Sequence, residues 1–286
     1  MTSSLISKPI SSAVYLVGSG PGDPELLTVK ALNLIRQADV LVYANSLIPQ
    51  QILGAAKADA EKIATANMTL EAIVPLMVER VRAGKSVVRL QSGDPSLYSA
   101  IHEQMLRLSE ADVPFEVVPG ISAFQAAAAN LQVELTIPGG VQSIILTRIS
   151  GRTQVPKSED LASMAAHKTS LCLYLSARHV ESAQAELMQH YPPETPVAIC
   201  FRVGWPDEQI LVVPLEKMAI ATEDEKLVRT TLYIVSPALA GRAGAGSAGA
   251  GVRSRLYSPS YDHLFRPKSQ REMSEQKVSE QEQGRA

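Results

Sequence analysis

Cysteine is scarce in this chain of 286 residues, with only two present. Cys172, in Leu-Cys-Leu-Tyr-Leu, and Cys200, in Ala-Ile-Cys-Phe, both stand inside apolar runs. They read as buried strand residues, not as a disulfide or a ligand pair. His102, His167, His179, His190 and His263 keep no ligand-type spacing to one another or to the cysteines, so no protein-built metal site is expected. An excess of one charge is missing too, since 27 basic and 29 acidic residues give a formal net charge of −2. That balance offers no general attraction to nucleic acid or to an anionic membrane. No apolar run approaches the ~20 residues needed to span a bilayer. Met1 to Ile10 carries only Lys8 and lacks the apolar stretch of a signal peptide. The expectation is a cytoplasmic metabolic protein.

What is present follows an α/β rhythm. Hydrophobic residues make up 45% of the chain, enough for one large domain or two of ordinary size. Ala13 to Val17 reads as a buried strand ending in a glycine loop. Leu27, Ala31, Leu34, Ile35 and Ala38 recur at helical spacing, and Val40 to Tyr43 is apolar again. Strand, helix and strand form a βαβ unit, which predicts a parallel pair. Leu70, Ile73, Met77 and Val81 suggest a helix stopped by Gly84, with Pro75 expected to kink it or delay its start. Strands follow at Ser86 to Leu90 and Phe115 to Val118, separated by a helical stretch ending near Leu108. The alanine-rich run Ser122 to Asn130 reads as a helix with Ser122 as N-cap.

Pro138-Gly139-Gly140 interrupts a stretch of weak periodicity and places a linker at 132–142, after an N-terminal extension (1–12) and an α/β domain (13–131). A second α/β domain is expected over 143–239. Its strands lie near 144–147, 170–175, 197–201, 209–213 and 230–235, and its helices near 159–166 and 180–189. Residues 240–251 are almost all Ala and Gly, a flexible composition. The rest of the tail to residue 286 is polar, except that 254–266 carries aromatics and arginines suited to docking.

Three turns follow strands of the first domain, where open α/β sheets bind ligands. The first, Val17-Gly-Ser-Gly-Pro-Gly-Asp-Pro24, invites comparison with a dinucleotide loop. Gly18 and Gly20 fit that pattern, but the third glycine falls at Gly22, and Asp23 would repel a pyrophosphate. The acidic residue expected for a ribose is replaced by Ala44 and Asn45. The second turn, Arg89-Leu-Gln-Ser-Gly-Asp-Pro-Ser-Leu-Tyr98, offers a bare backbone at Gly93 and a carboxylate at Asp94. The third, Val118-Pro-Gly-Ile-Ser-Ala-Phe124, presents free amides at a helix start. Each alone is an ordinary turn, and the informative feature is that all three can converge on one crevice. No catalytic triad, Cys-His pair or metal cluster competes for the chemistry, and no catalytic residue is assigned.

Together these three motifs resemble the tetrapyrrole methylase family over residues 13–239. The resemblance implies two unlike α/β domains with a cofactor cleft between them, S-adenosylmethionine as cofactor, a tetrapyrrole substrate and a homodimer. Narrower stretches, Asn67-Met-Thr-Leu-Glu71, Ile145 to Pro156, Trp205 to Ile210 and Ser254-Arg-Leu-Tyr257, are similar to the branch that methylates carbon 11 of precorrin-4. Members acting on uroporphyrinogen tend to carry an Asp directly after the second strand, where this chain reads Tyr43-Ala-Asn-Ser-Leu47. That enzyme, a methyltransferase for another corrin carbon, and a non-catalytic nucleotide-binding module stand as alternatives.

By the same resemblance, Pro21, Gly93, Asp94, Leu97, Ser122 and Ala123 are expected to contact the cofactor, with Leu175, Gly204 and Thr231 from the second domain. Asp94 is expected near the cofactor's cationic part, and Leu97 and Leu175 near its base or ribose. The substrate would be a large apolar ring rimmed with carboxylates. Arg148 and Arg152 are the candidates for that rim, ahead of Arg89. Tyr98 and Met68 are expected to pack on the ring.

Overall fold

The computed structural model describes residues 9–151, 153–227, 229–241 and 254. Arg152 and nearly all of the segment 254–266 thus lie outside the described residues. In the first half the strands are β1 (Val14–Gly18), β2 (Val40–Tyr43), β3 (Glu61–Ala64), β4 (Val87–Gln91) and β5 (Phe115–Val118). The helices are α1 (Val29–Gln37), α2 (Gln50–Leu53), α3 (Leu70–Arg82), α4 (Ile101–Glu110) and α5 (Ala123–Asn130). All pairings in this sheet are parallel, in the order β3-β2-β4-β1-β5. β1, β2 and β4 are buried along their whole length, because helices cover both faces of a parallel sheet. Tyr15, Val17, Leu41, Val88 and Leu90 pack on one side with α1 and α2. Val14, Leu16, Val40, Val42 and Val87 pack on the other with α3 and α4.

One sequence expectation needs correcting here. β1 and β2 are parallel but not partners, because β4 lies between them and pairs with both. α3 runs unbroken from Leu70 to Arg82 with Pro75 inside it. Pro75 is exposed, so its ring stands clear of the packed face while Ile73, Val74, Met77 and Val78 hold the helix on the sheet.

In the second half the strands are β6 (Ile144–Arg148), β7 (Ser170–Tyr174), β8 (Pro196–Phe201), β9 (Gln209–Pro214) and β10 (Thr231–Val235). The helices are α6 (Leu161–Ala165), α7 (Val180–Leu187) and α8 (Met218–Asp224). The sheet order is β6-β7-β10-β8-β9, and only β6 with β7 is parallel. Its two faces have different covers. Leu171, Leu173, Val197, Ile199, Tyr233 and Val235 face α6, α7 and α8. Cys172, Ala198, Cys200, Leu232 and Ile234 face Ala126, Ala127 and Leu131 of α5 and its C-cap. The alanines let α5 approach closely, so a helix from the first half closes the core of the second. Burying one Leu or Ile side chain contributes roughly 1.5–3 kcal/mol, and several at this seam tie the halves together. Both cysteines are buried and outside any disulfide, on strands separated by β10. Among the described residues no helix is long and apolar enough to cross a membrane.

Candidate active site at the glycine turns

β4, β1 and β5 lie side by side and parallel, so the turns at their carboxyl ends share one rim of the sheet. They are joined backbone to backbone. The Ser19 amide donates to the Gln91 carbonyl at 2.8 Å. Gly20 and Gly93 donate to each other's carbonyls at 3.3 and 2.8 Å. A Cβ on Gly18 would stand 2.6 Å from the Gly120 nitrogen and 2.8 Å from the Gly93 oxygen. Only glycine allows that approach. At Gly93 a Cβ would make ordinary contact with Ser122 at 3.6 Å. There the glycine serves a left-handed φ of 67° and leaves bare backbone on the rim.

Asp94 fastens this arrangement. Its Oδ2 accepts the Gly120 amide at 2.8 Å, and its Oδ1 accepts the Ser96 amide at 2.8 Å and the Ser96 hydroxyl. Partial burial would raise its carboxyl pKa, but the hydrogen bonds from Ser96 and Gly120 outweigh it and hold the group below the usual carboxylate range. The residue expected beside a cation therefore also pins the second turn to the third, and it keeps its negative charge.

The second half closes against these turns. The Trp205 indole N–H donates to the Pro21 carbonyl at 3.2 Å, and its ring lies under the Arg202 guanidinium at 4.0 Å. Gly204, with φ 77°, leaves no space for a Cβ, which would fall 2.7 Å from the Asp23 nitrogen. The Gln51 amide group bridges both sides, donating to the Gly22 carbonyl at 2.7 Å and the Gly204 carbonyl at 3.1 Å. At the third turn, Gln125 reaches back to accept the Ser122 amide at 2.9 Å, completing the expected cap. Ser122 Oγ lies 2.9 Å from the Tyr174 hydroxyl, and the Tyr174 ring stands 5.4 Å from that of Tyr98. Burial pushes the Tyr174 phenol up to about 12, so it stays neutral and can donate.

Tyr98 is 44% exposed and Leu175 67% exposed, and both hold φ near +54°, at 53° and 54°. Large side chains in the left-handed region cost of order 1–3 kcal/mol and gather at ligand sites. The structure thus links Pro21, Gly93, Ser122, Gly204 and Tyr98 through contacts around the joined turns, with Leu97 and Ala123 on those turns and Leu175 directly after Tyr174. The other expected residues have further engagements. The Thr231 hydroxyl is buried and donates to the Leu227 carbonyl at 2.6 Å. Met68 packs against the α3–α4 core. Arg148 donates to the carbonyls of Thr153 and Gln154 at 3.0 and 2.9 Å, so its guanidinium is already engaged by this chain. Tyr174, Trp205 and Gln51 were given no role from sequence. A lone tryptophan beside a Gly turn was a usable signal, whereas the other two contacts are purely tertiary.

Residues 13–219 match the family described as Tetrapyrrole (Corrin/Porphyrin) Methylases. A precorrin-4 C(11)-methyltransferase of Pseudomonas aeruginosa is 41% identical over 254 residues, covering 89% of this chain and 98% of that protein. The solved structure of a cobalt precorrin-4 methyltransferase is 41% identical, with a TM-score of 0.77 over 80% of this chain and 96% of its own. A uroporphyrin-III C-methyltransferase from Thermus thermophilus, solved with S-adenosyl homocysteine, is 30% identical with a TM-score of 0.66, covering 78% of this chain and 97% of its own. With the three turns meeting at the same strand ends that its sequence motifs mark, the chain belongs to the tetrapyrrole methylase family.

Proposed function

We propose that this protein transfers a methyl group from S-adenosylmethionine to carbon 11 of precorrin-4 or its cobalt complex, in corrin biosynthesis. The observation that carries the reading is the meeting of three bare-backbone turns at one rim, where the second turn ends in exposed Tyr98 beside Tyr174 and exposed Leu175 follows. The rim suits a compact zwitterion attached to a flat base. Glycine backbone lets the ligand come close, the Ser122 turn opens a helix with free amides, and an ionised carboxylate lies beneath. Relatives named for this reaction, 41% identical over most of their length, support the choice of substrate.

The cofactor supplies an electrophilic methyl on a cationic sulfur, so no proton need move at that carbon. The task left to the chain is alignment and exclusion of water. Pro21, Gly93, Asp94, Leu97, Ser122 and Ala123 would hold the donor from one side, and Leu175, Gly204 and Thr231 from the other. The tilted Tyr98–Tyr174 pair offers an aromatic surface for the macrocycle, with Arg148 and Arg152 near its carboxylate rim. The same reading takes 13–131 and 143–239 as the two domains, joined by 132–142. On the family resemblance it also takes the protein as a cytoplasmic homodimer. Incubation with methyl-labelled cofactor and either form of precorrin-4 should place the label on carbon 11 by carbon NMR. Label at another carbon, or no transfer with both forms, would overturn the assignment.

A further inference from the structure

Among the described residues, Arg89 is a charge without a counter-charge. It sits in β4 two residues before the strand ends and is only 8% exposed. One guanidinium nitrogen donates to Thr65 Oγ1 at 2.8 Å, while its Nε is sealed from solvent with no protein partner. Among the described residues no carboxylate pairs with it. Desolvation, with no acidic neighbour to oppose it, pushes the group down to about 10. A buried arginine normally has a carboxylate facing it.

The surroundings share the deficit. Gln91, two residues along β4 and so on the same sheet face, has a buried amide nitrogen without a partner. Gln104, one turn into α4 and 4% exposed, has a buried carbonyl oxygen without one. Its helix packs on that face through Leu108. The large majority of buried side-chain polar atoms have a partner, so three orphans on one layer require a cause. A bridging water would satisfy either glutamine, but it would not neutralise a guanidinium. Thr65 directly follows β3, which fixes the cluster at the carboxyl ends of β3 and β4, on the rim that carries the three turns. Met68 donates its amide to the Thr65 carbonyl at 3.0 Å, bringing that candidate ring contact alongside.

We propose that Arg89, flanked by Gln91 and Gln104, receives one rim carboxylate of the macrocycle and so fixes which way round the ring enters the cleft. The inference rests on the proposed tetrapyrrole substrate. A ring with acids around its whole rim can enter in many rotations, and shallow contacts separate these poorly. One deep guanidinium does so strongly, because each wrong rotation leaves it unpaired. The cofactor's own carboxylate fits less well, since it comes with an ammonium group and the cluster contains no acid to receive it.

The test uses the full chain carrying Arg89→Met and, separately, Arg89→Lys. Arg89→Met should raise KM for the macrocycle about 10- to 100-fold, the usual span for a charge-assisted pair. Its Kd for S-adenosylhomocysteine by calorimetry should stay within about twofold, and Tm should hold or rise because a buried lone charge is gone. Arg89→Lys should fall between Arg89→Met and wild type in KM, and it alone decides the matter if Arg89→Met does not fold. Wild type should also bind cobyrinic acid, a corrin bearing free carboxylates, more tightly than its fully amidated derivative, and Arg89→Met should lose that preference. An unchanged KM with lowered Tm would make Arg89 structural, and a weakened Kd for S-adenosylhomocysteine would assign it to the cofactor; either overturns the proposal. Failure of wild type to methylate any macrocycle would count against the function, whereas wild-type turnover with unaltered Arg89 variants would sink this inference alone.

Discussion

At the scale of single residues, the site is organised by where a Cβ cannot go. A methyl on Gly120 would stand 2.3 Å from the Gly93 oxygen and 2.9 Å from the Gly18 Cα, all backbone that cannot rotate aside. Gly120→Ala must therefore push the first and second turns apart and strain the amide that Asp94 accepts. Overpacking of this kind costs about 1–3 kcal/mol, and here it falls on the rim proposed to hold the cofactor. We expect Gly120→Ala to weaken S-adenosylhomocysteine binding at least about tenfold by calorimetry, a loss of roughly 1.4 kcal/mol. Gly84 is the control. Its φ of 79° also disfavours a side chain, yet nothing lies within 4 Å of its Cβ position. Gly84→Ala should cost about 1–2 kcal/mol of stability and leave that affinity alone. Equal affinities for Gly120→Ala and wild type would mean that the turns do not form the binding rim.

At the scale of elements, the base of the first sheet depends on Asp39. Its Oδ2 accepts the Ser86 amide at 2.9 Å and the Ser86 hydroxyl at 2.7 Å, and its Oδ1 accepts Lys57 Nζ at 2.7 Å. One carboxylate thereby joins the start of β2 to the start of β4. The Lys57 bond first, and then those from Ser86, hold its pKa at about 2 against an ordinary value of 3.8. A depressed carboxylate pKa stabilises the fold above the unfolded value, and that contribution disappears as pH falls through the folded one. The side chain is 39% exposed, so solvent screening limits the contribution to about 1 kcal/mol. Asp39→Asn should lower Tm by about 2–4 °C at pH 7, with the gap closing between about pH 4 and pH 2. A gap that persists unchanged at pH 2 would show that the charge is not what holds these strand starts.

The same elements explain what the sequence made legible. β1, β2 and β4 were readable because a strand buried on both faces is an unbroken apolar run. β3 was not: Glu61-Lys62-Ile63-Ala64 is a charged edge strand with Lys62 and Ala64 exposed. α2 spans four residues and α8 ends in acids, so neither shows a long apolar stripe. The insertion of β4 between β1 and β2 joins residues far apart in the chain, and local pattern cannot encode it. In the site, Pro and Gly mark the three turns openly. The link from Ser122 to Tyr174, which are 52 residues apart, and the lack of an acid facing Arg89 exist only once the halves are folded together.

At the scale of the whole molecule, the two halves meet twice, through different chemistry. Along α5 the seam is apolar, where the helix lies on β10 and its neighbours. At the strand ends it is polar, where Trp205 donates to Pro21 and Gln51 bridges Gly22 and Gly204. The apolar seam fixes the halves together, and the polar one borders the first turn, where the cofactor is proposed to lie. Trp205 is the only tryptophan in the chain, so intrinsic indole fluorescence reports on that polar seam alone. A ligand seated on the Pro21 turn must alter the field at the indole N–H or its exposure to water. Titration with S-adenosylhomocysteine should therefore shift the emission along a curve that superimposes on calorimetric binding. Trp205→Phe should abolish the signal and, by removing the hydrogen bond to Pro21, weaken binding about fivefold, near 1 kcal/mol. Calorimetric saturation with constant emission would place the cofactor away from the Pro21 turn and the Trp205 seam.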